Sequence, residues 1–558
     1  MWPVQPKQTL SMHTRDGVRL DADVYYPALE GDYPVLLMRQ PYGRAIASTV
    51  VYAHPAWYAA HGYIVVIQDV RGRGSSEGEF HLFAQEIDDG FDTVAWAASL
   101  PGSTGQVGMY GFSYQGMTQL YAAMAQPPAL VTLCPSMIGY DLYADWAYEG
   151  GAFCLQGNLG WAIQLAAETA RRAGQAEAYR SLYQAGHALP LTDPVNGQSD
   201  LLRQWAPDSY YHDWLHHGTP DDYWRSLSPQ GFPAVMDLPM LHIGGWHDSY
   251  LRGSLRFYHL MAAGSIHTQH LWVGPWGHLP WGQQVGSVNY GPEAASPIDR
   301  VQLRWFNQFL KGESTGLLDE ASVQWFEMGS NQWRSLSQVP STAVPYTLVS
   351  RGLATIDPQD GRLVQGVVVQ DAVGGTATPD QIVHDPWRPV PTVGGHGAFP
   401  AGTGDRTAVD CRTDVATYTT APLSHDLHLA GALRAVIYCT ADAPSFDLCA
   451  VVSQVDAAGR VMSMSQGYQR TDDIPPGQRH AVEVMLQPTC ICIPAGHALR
   501  LSLSAACFPA YAVNPGTGDR PHDAQLMQAQ IITLAIHSAA THVSQLWLPV
   551  VESSQETP

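Results

Sequence analysis

Ser113 stands in "VGMYGFSYQGMTQLYAAMA", residues 107–125, between a short apolar run and a run of helical composition. A serine hydroxyl is a weak nucleophile. It needs a base, a group that orients the base, and donors for the oxyanion that develops on the attacked carbonyl. A sharp strand-to-helix turn lifts such a serine above a sheet and crowds the backbone, so its neighbours must be small. Gly111, two residues earlier, meets that need. The usual elbow is G-x-S-x-G, whereas here Gln115 fills the second position after the serine and Gly116 follows it. On its own, Ser113 could also be an ordinary helix N-cap.

Two further residues complete a set capable of acyl transfer. Asp248 ends "LPMLHIGGWHD" and His278 ends "HLWVGPWGH", each directly after a buried-strand pattern. Serine, acid and histidine then occur in the chain order of an α/β hydrolase, all at strand carboxyl ends. His278 can accept the serine proton, and Asp248 can fix its tautomer and stabilise the imidazolium. His247, beside Asp248, competes for the base, although neighbours on a turn usually point apart.

The segments around these residues read as a parallel α/β sheet. "YPVLLMRQPYG" and "GYIVVIQDVRGRG" are near-continuous apolar runs, as in strands buried on both faces. "VRLDADVYYP" alternates like a half-exposed strand. "DDGFDTVAWAASL" reads as a helix with Phe91, Val94, Ala95 and Leu100 on one side. From about Tyr140 to Leu238 the alternation gives way to helical composition, expected to lie as an insertion over the strand carboxyl ends, where such sheets bind ligands. It resumes up to the closing helix "DRVQLRWFNQFLKG". Beyond about Val344, short alternating runs broken by Pro, Gly, Asp and Ser indicate an antiparallel β-sandwich of jelly-roll type. The last seven residues, "ESSQETP", are expected to fray.

Composition bounds the remaining possibilities. With 558 residues, two or three domains are expected. The net charge of −21, with no basic run, argues against nucleic acid or an anionic membrane as partner. No apolar run approaches the roughly 20 residues that span a bilayer. The start, "MWPVQPKQTL", lacks an apolar signal core. The eight cysteines are scattered, which suits reduced thiols in a cytoplasmic protein. His212 and His216 have helical i,i+4 spacing, but no H-E-x-x-H motif accompanies them, so no metal is expected. No cofactor is expected either.

Six strings, "RQPYGR", "DVRGRGSSEGEF", "GFSYQG", "GWHDSY", "GPWGH" and "FPAYAVNPGTG", occur in this order along nearly the whole chain. Together they resemble the bacterial cocaine-esterase and X-prolyl dipeptidyl-peptidase family of serine hydrolases, whose own elbow is G-x-S-Y-x-G. The resemblance implies an α/β-hydrolase core (1–139 and 239–343), a helical cap insertion (140–238) and a C-terminal jelly-roll β-sandwich of galactose-binding-like form (344–558). Carried over residue by residue, it implies Ser113 as nucleophile, Asp248 as acid and His278 as base. It further implies an oxyanion hole of the Tyr42 hydroxyl and the Tyr114 amide, and an acyl pocket lined by Trp146, Trp161 and Tyr250. Asp69 and Arg71 are expected to brace the loop behind the elbow. The loop "GGHGAFPAGTGD", Gly394–Asp405, is expected to close the site from the C-terminal domain.

The expected partner is a small-molecule ester or amide; a homo-oligomer is compatible with the sequence. Dipeptidyl-peptidases of the family generally carry a large N-terminal helical domain, and this chain begins near its first core strand. The α-amino acid ester hydrolases hold the substrate ammonium with carboxylates, partly from beside the elbow, where this chain has Gln115. Asp145 and Glu149 could substitute. A non-catalytic alternative is a carbohydrate-binding protein with a decayed hydrolase core, against which stand the intact Ser113, Asp248, His278 and Tyr42.

Overall fold

The structure, a computed structural model, describes residues 1–45, 49–231, 236–337, 339–340, 343–367, 378–538 and 542–551. The tail expected to fray lies outside these residues. Its centre is a ten-stranded sheet in the order Gln8–His13, Arg19–Tyr25, Ile64–Asp69, Tyr33–Gln40, Ser103–Phe112, Leu130–Ser136, Met240–His247, Gln269–Gly277, Val323–Glu327 and Gln332–Leu336. The strands from Ile64–Asp69 to Val323–Glu327 run parallel, and the outer ones antiparallel. The two apolar runs read as doubly buried strands are so: every residue of Ile64–Asp69 is buried, as are seven of eight in Tyr33–Gln40. Helices cover both faces.

Two local expectations need correction. The strand Arg19–Tyr25 is almost wholly buried, not half exposed. Its polar face is satisfied internally: Asp21 accepts from Ser11 and Ser75, and Asp23 from Thr9, Lys7 and Arg44. The helix Glu86–Ala98 buries Gly90, Thr93, Val94 and Ala97, while Ala95 is exposed.

Between the strands Leu130–Ser136 and Met240–His247 the chain forms a short hairpin (Tyr148–Glu149 with Ala152–Phe153) and five helices, Leu155–Arg172, Ala176–His187, Asp200–Trp205, Tyr210–His216 and Asp222–Leu227. Beyond residue 343 the structure is β-sheet, built around the long strands Leu427–Ala441 and His480–Ile493. One apolar cluster runs from Trp246, Trp325 and Phe326 of the first sheet into Leu433, Leu486 and Ile491 of the second, so the two sheets share a core. Among the described residues no helix is long and apolar enough to cross a membrane.

Glu149 ties three parts of the chain together. It pairs with Arg252 at 3.0 Å and accepts hydrogen bonds from His396 Nε2 at 2.8 Å and Tyr511 Oη at 2.6 Å. Burial pushes its carboxyl up, but Arg252 and His396 outweigh it and hold the group at about 2. The folded value lies below the ordinary 4.5. The stabilisation is therefore complete above the unfolded value and is lost as pH falls toward 2. Glu149→Gln is expected to cost about 3–5 kcal/mol at neutral pH, because it strands a buried arginine. Thermal unfolding should also show the variant losing less stability than the wild type as pH falls from about 4.5 to 2.

Candidate active site

Ser113 ends the strand Ser103–Phe112 and begins the helix Tyr114–Met124 at φ 59°, ψ −128°. A non-glycine residue held there costs roughly 1–3 kcal/mol and persists only where its surroundings enforce it. Its amide donates to Ser136 O at 3.0 Å, and its carbonyl accepts from Met117 N at 2.9 Å. The neighbouring glycines follow from this turn. A Cβ on Gly111 would lie 2.5 Å from that of Gln115; one on Gly116 would lie 2.5 Å from Ile138 Cγ2 and 2.9 Å from Ser136 O. Gly116, and not position 115, is where the helix abuts the next strand. The displaced glycine of the elbow therefore has a packing cause. Gln115 is buried, with its side-chain oxygen accepting from Phe112 N.

Asp248 is fully buried at the end of Met240–His247, and its Oδ1 accepts a hydrogen bond from His278 Nδ1 at 2.8 Å. The His278 ring lies 5.3 Å from that of Phe112, the residue before the serine, and 4.8 Å edge-on from Tyr250. Ser113 Oγ faces the Tyr42 hydroxyl. No hydrogen bond joins Ser113 to His278 among the described residues; catalytic hydrogen bonds without substrate are often long and tighten in the complex. His247 turns away to Tyr290, 3.4 Å off, and burial pushes its imidazole down to about 4.

Tyr42 stands past the end of Tyr33–Gln40. Its oxygen accepts from Trp161 Nε1 at 3.2 Å. Burial pushes its phenol up to about 12 against these contacts, so it keeps its proton. The Tyr114 amide, in the first turn of its helix, has no intrahelical acceptor, while the Tyr114 hydroxyl donates to buried Glu86 at 2.9 Å. Trp161 stacks on Trp214 with ring centres 5.5 Å apart. Trp146 is buried behind it among Phe83, Trp214 and Trp224. Trp161, Tyr250, Tyr42, Ser113 and His278 all remain partly open.

Comparisons with known proteins cover nearly the whole chain. Residues 16–280 match the X-Pro dipeptidyl-peptidase (S15 family) domain, and residues 315–546 its C-terminal non-catalytic domain. Cocaine esterase from Rhodococcus sp. (strain MB1 Bresler) is 30% identical over 96% of this chain and 97% of its own. The chain belongs to the cocaine esterase and X-Pro dipeptidyl-peptidase family of hydrolases. An aminopeptidase from the marine sediment archaeon Thaumarchaeota archaeon shares the fold at a TM-score of 0.82, with 20% identity over 98% of this chain and 96% of its own. An α-amino acid ester hydrolase does so at 0.79, with 23% identity over the same shares.

Within this family fold, the cap carboxylates are already engaged. Glu149 pairs with Arg252 as described, and Asp145, fully buried, accepts from the Tyr140 and Asp141 amides and pairs with Arg256 at 3.3 Å. Asp69 accepts from Arg44, Gln40 and Ser75, and Arg71 pairs with Asp16 and Asp89, so both brace the loop behind the elbow. The loop Gly394–Asp405 reaches the histidine turn: a Cβ on Gly277 would lie 3.4 Å from that of Ala401.

Sequence reasoning missed Gln487. From the C-terminal domain its side-chain amide donates to the Asp248 carbonyl at 2.6 Å. A lone glutamine within an alternating strand carries no local signal of such a contact. Gln487→Leu is expected to lower kcat of ester hydrolysis about tenfold, since misplacing the Asp248 turn misorients His278. Unchanged turnover would show that the turn holds itself.

Proposed function

We propose that this hydrolase is a serine esterase or amide acylase working through a covalent acyl-enzyme. Ser113 Oγ attacks the ester or amide carbonyl while His278 takes its proton. Asp248, bonded to Nδ1, holds the imidazole with Nε2 toward the serine and stabilises the imidazolium. The oxyanion receives hydrogen bonds from Tyr42 Oη and the Tyr114 amide. His278 then gives its proton to the departing alcohol or amine, and a water releases the acid by the same route. Every step uses this chain's own groups and water. In this reading residues 140–238 form the cap over the site and residues 344–558 the sandwich that braces it. Trp161 and Tyr250 wall the acyl pocket, with Trp146 backing the Trp161 indole.

The observation that carries the proposal is the 2.8 Å Asp248–His278 bond beside a serine held at φ 59°. Recognition of a substrate ammonium, required for an X-Pro or α-amino ester activity, would have to compete at Asp145 and Glu149 with Arg256 and Arg252, which already pair with them at 3.3 and 3.0 Å. An acyl group without a positive charge fits better.

A fluorophosphonate probe should add one label per chain, on Ser113, and none to Ser113→Ala. Labelling that survives that change would refute the scheme. Tyr42→Phe should keep the label site yet lose about 10²–10³ in kcat, the usual cost of one oxyanion donor.

A further inference from the structure

In the scheme above the Tyr114 amide and the Tyr42 hydroxyl hold the oxyanion, and two donors serve one oxygen only if their spacing is fixed. The Tyr114 side chain ends on a buried ion pair. Its hydroxyl donates to Glu86 Oε1 at 2.9 Å and accepts from the Phe83 amide at 3.4 Å. The Phe83 ring stacks on its face, with centres 4.7 Å apart and planes 19° from parallel. Glu86 pairs with Arg39 at 2.6 Å, and Arg39 Nε donates to Gln68 Oε1 at 2.8 Å. Tyr114, Glu86 and Arg39 are all buried. Burial pushes the Tyr114 phenol well up, so it keeps its proton and remains the donor. Burial also pushes the Glu86 carboxyl up, while Arg39 opposes that shift. Glu86 opens the helix Glu86–Ala98, where the helix dipole also favours its negative charge.

The other end of this chain of contacts leads to Tyr42. Arg39 lies on the strand Tyr33–Gln40, which runs directly into Tyr42, and Gln40 Oε1 accepts from the Tyr42 amide at 3.0 Å. The Arg39 carbonyl accepts from Thr118 Oγ1 at 3.3 Å, in the helix that Tyr114 begins. Arg39, Glu86 and Tyr114 therefore join the strand that carries one donor to the residue that carries the other. The link brings no net charge, because guanidinium and carboxylate cancel, so no unbalanced negative charge stands behind the oxyanion.

We propose that Glu86 is a positioning residue for the oxyanion hole. Through the Tyr114 hydroxyl it fixes the Tyr114 amide, and through Arg39 it sets the distance of that amide from the Tyr42 hydroxyl. The inference rests on the serine acyl-transfer reading above. Without this anchor the ring can tilt, and the first peptide of the helix turns with it. A planar ground-state carbonyl makes little use of the aim of that amide, whereas the tetrahedral oxyanion depends on it. The cost of losing the anchor therefore falls on transition-state affinity and not on substrate binding.

The test uses Tyr114→Phe, which keeps the ring and the amide and removes the donor to Glu86. Its kcat/KM for p-nitrophenyl valerate should fall about tenfold, less than the 10²–10³ that follows loss of a whole donor. Two inhibitors then decide. Butylboronic acid forms a tetrahedral adduct on the serine, with a boron-bound oxygen in the oxyanion hole, and should weaken by the same factor. Valeramide, which stays planar, should bind as before. An equal effect on both inhibitors, or no effect on either, overturns the proposal and leaves Glu86 a partner for a buried phenol. Should Tyr114→Phe not fold, Glu86→Gln decides in the same way. Its amide oxygen still accepts the phenol but holds it more weakly than a carboxylate does, so the boronate should weaken about threefold relative to valeramide, and an unchanged ratio overturns the proposal. Fluorophosphonate labelling of the wild type separates the two failures. Labelled Ser113 with no selective loss of the boronate sinks only the Glu86 assignment, while absent labelling removes the acyl-transfer reading and this proposal with it.

Discussion

A serine fixed at φ 59°, where a strand passes directly into a helix, is the constraint on which the remaining architecture depends. Such a backbone is stable only if neighbouring atoms leave it no relaxed alternative. The parallel sheet supplies that confinement. Ser136 on the next strand accepts the Ser113 amide, and Gly116 must be bare of side chain for the helix to approach that same strand. Gln119, one turn further on, donates to the Gly111 and Cys134 carbonyls and accepts from the Cys134 amide, stitching the turn to both strands. The strain thus falls on one residue, and its hydroxyl is held at the sheet's carboxyl edge without the motion that would blur its aim.

Around that fixed point the partners come from distant parts of the chain. Asp248 and His278 leave adjacent strands whose pairing shifts register between Gly274 and Gly277, next to the histidine. Tyr42 arrives from a strand on the opposite flank. The second sheet contributes through contacts and not through chemistry: Gln487 on the acid turn, Ala401 beside the histidine turn, and His396 with Tyr511 on Glu149 of the cap hairpin. A shared apolar core of the two sheets makes those contacts rigid. Removal of the sandwich would therefore loosen the acid and the cap together.

Much of this was legible because strands buried on both faces are long apolar runs with polar residues at their ends. The end of each run marks an edge of the sheet, so Asp248 and His278 could be placed together although 30 residues separate them. The elbow was legible through its glycines. What escaped the sequence was long-range polar pairing. Tyr511 meets Glu149 across 362 residues and Gln487 meets Asp248 across 239. Single polar residues in strands have no period to read. The same blindness misassigned "VRLDADVYYP": Asp21 and Asp23 alternate as solvated residues would, yet they are buried among dedicated donors. In the helix Glu86–Ala98 the small residues Gly90 and Ala97, and not the more apolar Phe91, are buried; a Cβ on Gly90 would lie 2.9 Å from that of Ala122 in the helix Tyr114–Met124, so close helix packing outweighs hydrophobicity there.

Whether Ser113 becomes covalently acylated is the most direct question for the whole account. Enzyme mixed with a p-nitrophenyl ester, quenched in acid within one turnover and measured by intact mass, should gain the mass of the acyl group. Peptide mapping should place that group on the fragment containing Ser113. No adduct at any quench time, together with p-nitrophenol release that shows no burst before the steady state, would contradict it.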